Sequence, residues 1–230
     1  MIKKTIISLG IAFSAITLNY ALPQHAEGEQ VCDMHAFTQY NKYLAFFNKH
    51  LILSENTSKI NYGSNDAKYK ILQFCDFESK SCLANYKTLQ HVAKQHNDVS
   101  INLLYYSNDD HSISENVYKA SLTVYLAKGQ TAYREFINKV SKAPIKTDSE
   151  LATLLKSFNI SDEDMKKYTP EVSNIVKHSK EMAKELKISH IPAVFIMPKK
   201  DISEKNIYYS EFEDVPQYII ERALNHLDHL

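Results

Sequence analysis

The sequence predicts an α/β fold, in which helices cover a sheet that contains a parallel pair of strands. Three observations support this prediction. An apolar run of β-forming residues at 69–77 ends in a short polar turn, a helical pattern follows at about 80–95, and a second strand pattern occupies 99–106. A helix that connects two strands makes them parallel neighbours with a right-handed crossover.

Helical patterns then fill the chain as far as Leu186. Thr147 forms a capping-box pattern with Glu150, and Pro170 suits the first turn of a long helix because proline has no N–H to leave unpaired there. The predicted helix bounds are Ser112 to about Lys128, about 130–141, Thr147 to Phe158, and Thr169 to Leu186.

Two strands and one helix complete the predicted fold. The segment 194–197 has a strand pattern, and 206–209 is predicted to be its hairpin partner. A last helix at about 215–228 is predicted to close the other side of the sheet. Its apolar face consists of Ile219, Ala223, Leu224 and Leu227.

The composition argues against several classes of function. The chain has 230 residues with 27 basic and 27 acidic side chains, and no basic block is interleaved with aromatic residues, so nucleic-acid binding is not favoured. The histidines, cysteines and acids show no metal-ligand spacing, and the four glycines form no phosphate-binding loop. We therefore expect no metal, cofactor or nucleic acid.

Residues 1–26 have the pattern of a secretory signal peptide. Lys3 and Lys4 precede an apolar segment, and cleavage after Ala21 or Ala26 would release the rest of the chain. An uncleaved membrane anchor is the competing interpretation, although the apolar run is short for a membrane span. Either way, the folded part of the chain is expected in a bacterial periplasm.

Residues 27–56 are predicted to form an N-terminal helical arm with one apolar stripe. The stripe consists of Phe37, Tyr40, Leu44, Phe47 and Leu51. The arm could pack on the core of its own chain, or it could pair with a second copy in a homodimer, with Cys32 available for a disulfide between chains. Three cysteines in an oxidising compartment leave at least one of them unpaired within the chain.

The turn between the first strand and its helix carries candidate chemistry. Ser79 is a predicted N-cap, so that Cys82 falls in the first turn of the helix. A thiol at this position lies near the positive end of the helix dipole, which favours a thiolate. Cys82 is therefore a candidate catalytic residue, and a small buried thiol is the alternative.

Two motifs resemble a known family. The segments Tyr62–Lys68 and Gln73–Phe77, followed by the turn that ends in Cys82, resemble the DsbA family of thioredoxin-fold thiol-disulfide oxidoreductases. Far downstream, Lys187–Ile196 resembles the loop in which that family places a cis-proline, here Pro192, beside its active-site cysteines. The resemblance covers about residues 60–228.

The resemblance implies a domain organisation, and the chain departs from the family at the active site. It implies a thioredoxin-like domain at 57–230 with a helical insertion at about 112–187. The family has Cys-x-x-Cys where this chain has Ser79-Lys80-Ser81-Cys82, and many members carry a buried acid where it has Gln73. A serine hydroxyl cannot form the mixed disulfide through which exchange proceeds, so the active centre is degenerate.

A second cysteine could restore a dithiol. Alternation along the first strand places Gln73 and Cys75 on one face, and the resemblance implies that this face meets the helix bearing Cys82. If the two Cα atoms lie within about 7 Å, Cys75 and Cys82 could form a displaced redox pair. A plain core thiol is the ordinary alternative for a strand cysteine such as Cys75.

Peptide binding does not require the missing sulfur. A cis bond before Pro192 would expose the backbone of Ile191 to an extended polypeptide, and the turn residues Lys80 and Ser81 would border it. The first hypothesis is an exported chaperone or adaptor that binds extracytoplasmic polypeptides without dithiol catalysis. The alternative is a thiol-disulfide oxidoreductase or isomerase that uses Cys82 with Cys75 or Cys32, so the sequence leaves enzyme activity undecided.

Overall fold

A computed structural model describes residues 60–107, 112–203, 206–211 and 214–230. Its centre is a five-stranded mixed sheet in the order β1-β3-β2-β4-β5. The strands are β1 (Tyr62–Gly63), β2 (Tyr69–Cys75), β3 (Val99–Tyr105), β4 (Ala193–Pro198) and β5 (Tyr208–Ser210). The predicted β2–β3 pair is parallel, and the other three pairs are antiparallel. The α/β fold class is therefore confirmed.

The described residues contain six helices, four of them between β3 and β4. They are α1 (Lys80–Gln95), α2 (Ser112–Lys128), α3 (Gln130–Lys142), α4 (Asp148–Ser157), α5 (Asp162–Glu185) and α6 (Gln217–Asp228). The capping box predicted at Thr147 and Glu150 is present, because the hydroxyl accepts from the Glu150 N–H and the carboxylate accepts from the Thr147 N–H. Gly129 ends α2 as predicted, with a φ of 83° that suits a residue without Cβ.

The predicted start of the long helix at Thr169 is wrong. α5 begins seven residues earlier, at Asp162, where the Ser161 hydroxyl accepts from the Asp164 N–H and the Asp164 carboxylate accepts from the Ser161 N–H. Pro170 therefore lies inside the helix. It is tolerated because this stretch is exposed, where water can bond to the carbonyl that loses its helical donor.

The sheet separates two apolar clusters. One face of β2 presents Ile71 and Cys75 to a cluster that includes α1, α2 and α6, and the other presents Leu72 and Phe74 to a cluster around the C-terminal end of α5. The prediction that the last helix closes the other side of the sheet is therefore wrong. Met182, Ala183 and Leu186 already cover that face, so α6 packs beside α1 on the first.

Several predictions concern residues that the structure does not describe. The signal segment at 1–26, the arm at 27–56 and Cys32 lie outside the described residues, and the domain boundaries stay predictions with them. In the described ranges, no helix is both long enough and apolar enough to span a membrane.

Candidate functional site

The two sequence motifs meet at one end of the sheet. Antiparallel pairing of β2 with β4 places Phe74 opposite Ala193, the residue after Pro192. Cys82 lies in the first turn of α1, and its sulfur is 3.9 Å from the Phe74 carbonyl oxygen. The turn that ends in Cys82 and the loop that ends in Pro192 are therefore neighbours, although four of the described helices, α2 to α5, separate them in sequence.

Ser79 caps α1, as the sequence predicts. Its hydroxyl oxygen accepts a hydrogen bond from the Cys82 N–H at 3.2 Å, and its own backbone has the extended conformation of an N-cap residue. The hydroxyls of Ser79 and Ser81 are 2.9 Å apart. Lys80 is exposed, while Ser79 and Ser81 are partly exposed. The face that this turn presents to solvent therefore carries two hydroxyls and one ammonium group.

Cys75 and Cys82 lie near each other beneath this turn. Both residues have an exposed fraction of 0%, and both are free thiols. The Cys75 sulfur is 3.5 Å from the Asp76 carbonyl oxygen. Burial raises the pKa of the Cys75 thiol well above its ordinary value, and the neighbouring Cys82 raises it further. Cys75 is therefore protonated at neutral pH and is a poor nucleophile.

Gln73 connects β2 to the thiol-bearing helix. Its side-chain Nε2 donates to the Cys82 carbonyl oxygen at 2.8 Å, which ties β2 to the first turn of α1. Its Oε1 is buried and has no hydrogen-bond partner among the described residues. A neutral amide thus contacts the backbone of Cys82, from the strand face that the alternation of β2 predicts.

Asp76 is a buried acid that the sequence analysis did not single out. Its carboxylate is 2% exposed and accepts from the Glu78 N–H and from the Ser107 hydroxyl, both at 2.8 Å. The first of these bonds is an Asx turn, which an aspartate at the end of a strand pattern could have indicated. The carboxylate also lies near enough to Cys75 to raise the pKa of that thiol.

The loop before β4 presents an open stretch of backbone. The Ile191–Pro192 peptide bond is cis, Pro192 is buried and Ile191 is half-buried. Within the described residues, the N–H and C=O of Ile191 have no backbone hydrogen-bond partner. The two residues before Ile191 are held differently, because Ser189 and His190 donate their N–H groups to the Glu211 carboxylate. Ile191 is thus an unpaired position beside the Ser79–Cys82 turn.

Other features of the described residues lie away from this site. A surface cleft of about 840 Å³ surrounds Lys68, Pro198 and Leu227 at the opposite end of β2 and shares no residue with the site. No group of three or more histidine, cysteine or acidic residues in the described ranges could hold a metal ion.

Comparison with known proteins identifies the fold. No protein-family model matches the chain, and no curated protein matches it either. Solved structures do match, among them BcfH from Salmonella enterica Typhimurium, with 15% identity, a TM-score of 0.68, and 86% of this chain and 83% of BcfH covered.

Two further structures agree with this match. The thiol-disulfide exchange protein alpha-DsbA2 from Wolbachia pipientis is 12% identical with a TM-score of 0.63, covering 86% of this chain and 98% of its own. The catalytic domain of Proteus mirabilis ScsC is 17% identical with a TM-score of 0.61, covering 84% of this chain and 100% of that domain. This chain therefore has the thioredoxin-like fold of the DsbA-like proteins.

Proposed function

We propose that this protein is an exported DsbA-like protein that binds extracytoplasmic polypeptides, as a chaperone or adaptor, and lacks ordinary dithiol catalysis. The observation that carries the proposal is that the Ile191 backbone has no backbone hydrogen-bond partner among the described residues. The neighbouring turn has the Ser79 hydroxyl at its N-cap position, where the family has a cysteine. An extended polypeptide can bind to free N–H and C=O groups without any sulfur.

The burial of the thiols supports the absence of dithiol exchange. Exchange begins when a thiolate reaches a substrate disulfide, and the described thiols, Cys75 and Cys82, are completely buried. The groups of the turn that reach solvent are the hydroxyls of Ser79 and Ser81 and the Lys80 ammonium group, and none of them can form a mixed disulfide.

Peptide binding is tested with a polypeptide that cannot fold. Reduced and carboxymethylated α-lactalbumin should bind the full-length protein, and the double variant Cys75→Ala, Cys82→Ala should bind it equally well because no sulfur takes part. Binding that is lost only in the double variant would contradict the proposal. Peptides methylated at single backbone nitrogens should include one that loses affinity, since one of its N–H groups would pair with the Ile191 carbonyl.

A second candidate function rests on the proximity of the two thiols, which is close enough for Cys82 to raise the pKa of Cys75. If α1 moved to expose Cys82, its thiolate could attack a substrate disulfide, and Cys75 could then displace the reduced substrate. The chain would lose two electrons and two protons to the substrate, and a Cys75–Cys82 disulfide would form. Reduction of insulin that is abolished by Cys82→Ala would favour this candidate over the first.

A further inference from the structure

Glu211, the residue after β5, holds the loop that leads to Ile191. Its Oε1 accepts from the Ser189 N–H at 2.8 Å and from the His190 N–H at 3.3 Å, and its Oε2 accepts from the Ser189 hydroxyl at 2.9 Å. The side chain of Tyr209 also hydrogen-bonds to the carboxylate. One side chain thus collects four donors, three of them from the two residues that precede Ile191.

The Glu211 carboxylate is ionised at neutral pH. Partial burial alone would raise its pKa, but the hydrogen bonds from Tyr209 and Ser189 outweigh that effect and leave the pKa below its ordinary value. Hydrogen bonds to a charged acceptor are shorter and stronger than those between neutral groups. The side chain is 21% exposed, so these bonds are only partly weakened by water.

This arrangement determines which backbone groups remain free. The N–H groups of Ser189 and His190 are directed at Glu211, and Pro192 has no N–H. Ile191 is consequently the one residue between Ser189 and Pro192 whose N–H is available to a polypeptide. A carboxylate that faces Ser189 and His190 from one side also limits how far the loop can rotate.

We propose that Glu211 is a positioning residue, which holds residues 189–191 so that Ile191 alone pairs with the main chain of an extended polypeptide. This inference rests on the proposed peptide-binding function and adds to it the residue that fixes the binding register. A purely structural role for Glu211 would predict loss of folding stability without any change in where the polypeptide pairs.

The test compares three variants with the same carboxymethylated α-lactalbumin. Glu211→Ala removes all four acceptor contacts and should weaken binding about tenfold, since loss of charge-assisted bonds frees the loop. Glu211→Gln keeps one side-chain oxygen and should restore about half of that loss on a logarithmic scale. Glu135→Gln is the control for loss of a charge away from the site, because Glu135 is an exposed carboxylate with an ion pair to Lys139 on α3.

Amide hydrogen exchange distinguishes positioning from stability. In the wild-type protein, bound polypeptide should protect the Ile191 amide, while in Glu211→Ala this protection should disappear and the amides in β2 should stay as protected as before. Affinity and Ile191 protection that are unchanged in Glu211→Ala would overturn the inference. Equal loss of β2 protection in that variant would also overturn it, since the effect would then be global.

Failure of the proposed function has a different signature. If the wild-type protein does not bind the unfolded polypeptide, the peptide-binding proposal fails and Glu211 has no register to fix. If the wild-type protein binds and Glu211→Ala binds equally, only the role of Glu211 is wrong.

Discussion

At position 79, oxygen serves a structural purpose that sulfur would serve less well. A serine hydroxyl is among the preferred N-cap groups, and here it accepts the Cys82 N–H at the start of α1. Sulfur is a weaker acceptor. The chain thus has a helix cap at the position where exchange chemistry would need a thiol. One substitution, Ser79→Cys, would replace the cap by a thiol.

Ser79→Cys should create a working Cys-x-x-Cys turn. The new thiol would lie in the outward position beside Cys82, and we expect a disulfide between them together with measurable reduction of insulin, which the proposed function does not predict for the wild-type protein. Loss of the cap should cost about 1 kcal/mol of the free energy of unfolding. Mass spectrometry of the alkylated protein measures the disulfide.

Ser79→Ala is the matched control for this substitution. It should lose the same stability and gain no redox activity. An unreactive Ser79→Cys that leaves both thiols free under oxidising conditions would mean that the turn does not have the geometry that exchange requires.

The two buried thiols should resist alkylation in the native state. In a Cys32→Ser background, iodoacetamide should leave Cys75 and Cys82 unmodified in native protein and should modify both in guanidinium chloride, because their exposed fraction is 0%. Mass spectrometry counts the added groups. Rapid modification of Cys82 in native protein would instead support the oxidoreductase alternative.

At the scale of elements, α5 shows how a local rule can mislead. Proline favours the first turn of a helix, and that preference places the predicted start at Thr169. The actual start at Ser161 has a complete capping box, and the helix continues through Pro170 where its surface is exposed. Both signals are local, and in this helix the capping box sets the boundary.

Pro170→Ala should stabilise the protein. Alanine restores the hydrogen bond that proline removes and relieves the clash with the preceding turn, so the free energy of unfolding should rise by about 1 to 3 kcal/mol. Ser161→Ala should lower it by about 1 kcal/mol through loss of the cap. Chemical denaturation measures both changes, and a destabilised Pro170→Ala would show that the proline is needed at that bend.

The sequence predicts most elements of this fold and only part of its site. Strand alternation, the cap at Ser79 and the helix that bears Cys82 depend on residues close together in the chain, and all three appear in the structure. The bonds between Glu211 and Ser189 join residues 22 positions apart, across a hairpin. No short sequence pattern specifies such a contact, so it can be seen only in the folded structure.

At the scale of the whole molecule, the core contains ionisable groups in their neutral forms. Burial raises the pKa values of Cys75, Tyr86, Tyr118 and Tyr133. All four are completely or almost completely buried. Each neutral form is favoured in the folded state, so each group holds its proton more tightly there than in the unfolded chain.

Stability should therefore fall in alkali. The contribution of these groups is complete below their unfolded pKa values, 9.0 for the thiol and 10.0 for the tyrosines, and is lost as the pH rises above them. Each group should lower the free energy of unfolding by about 1.4 kcal/mol per pH unit there. Guanidinium denaturation from pH 8 to 11 measures this slope.

Tyr118→Phe provides the control for the alkaline transition. It removes one titrating group, together with the hydrogen bond from the Tyr118 hydroxyl to the Leu103 carbonyl, and should make the slope shallower. A free energy of unfolding that stays constant up to pH 11 would contradict this account of the core.

The peptide binding proposed for this protein uses main-chain hydrogen bonds, and the same kind of bond can join the exposed sheet edges of two copies of a protein. The outermost strands of this sheet are short: β1 has two residues and β5 has three. Edge strands this short offer few consecutive donors and acceptors, which disfavours edge-to-edge pairing of sheets from two molecules. The proposed binding of polypeptides at Ile191 would therefore not require long exposed sheet edges that aggregate.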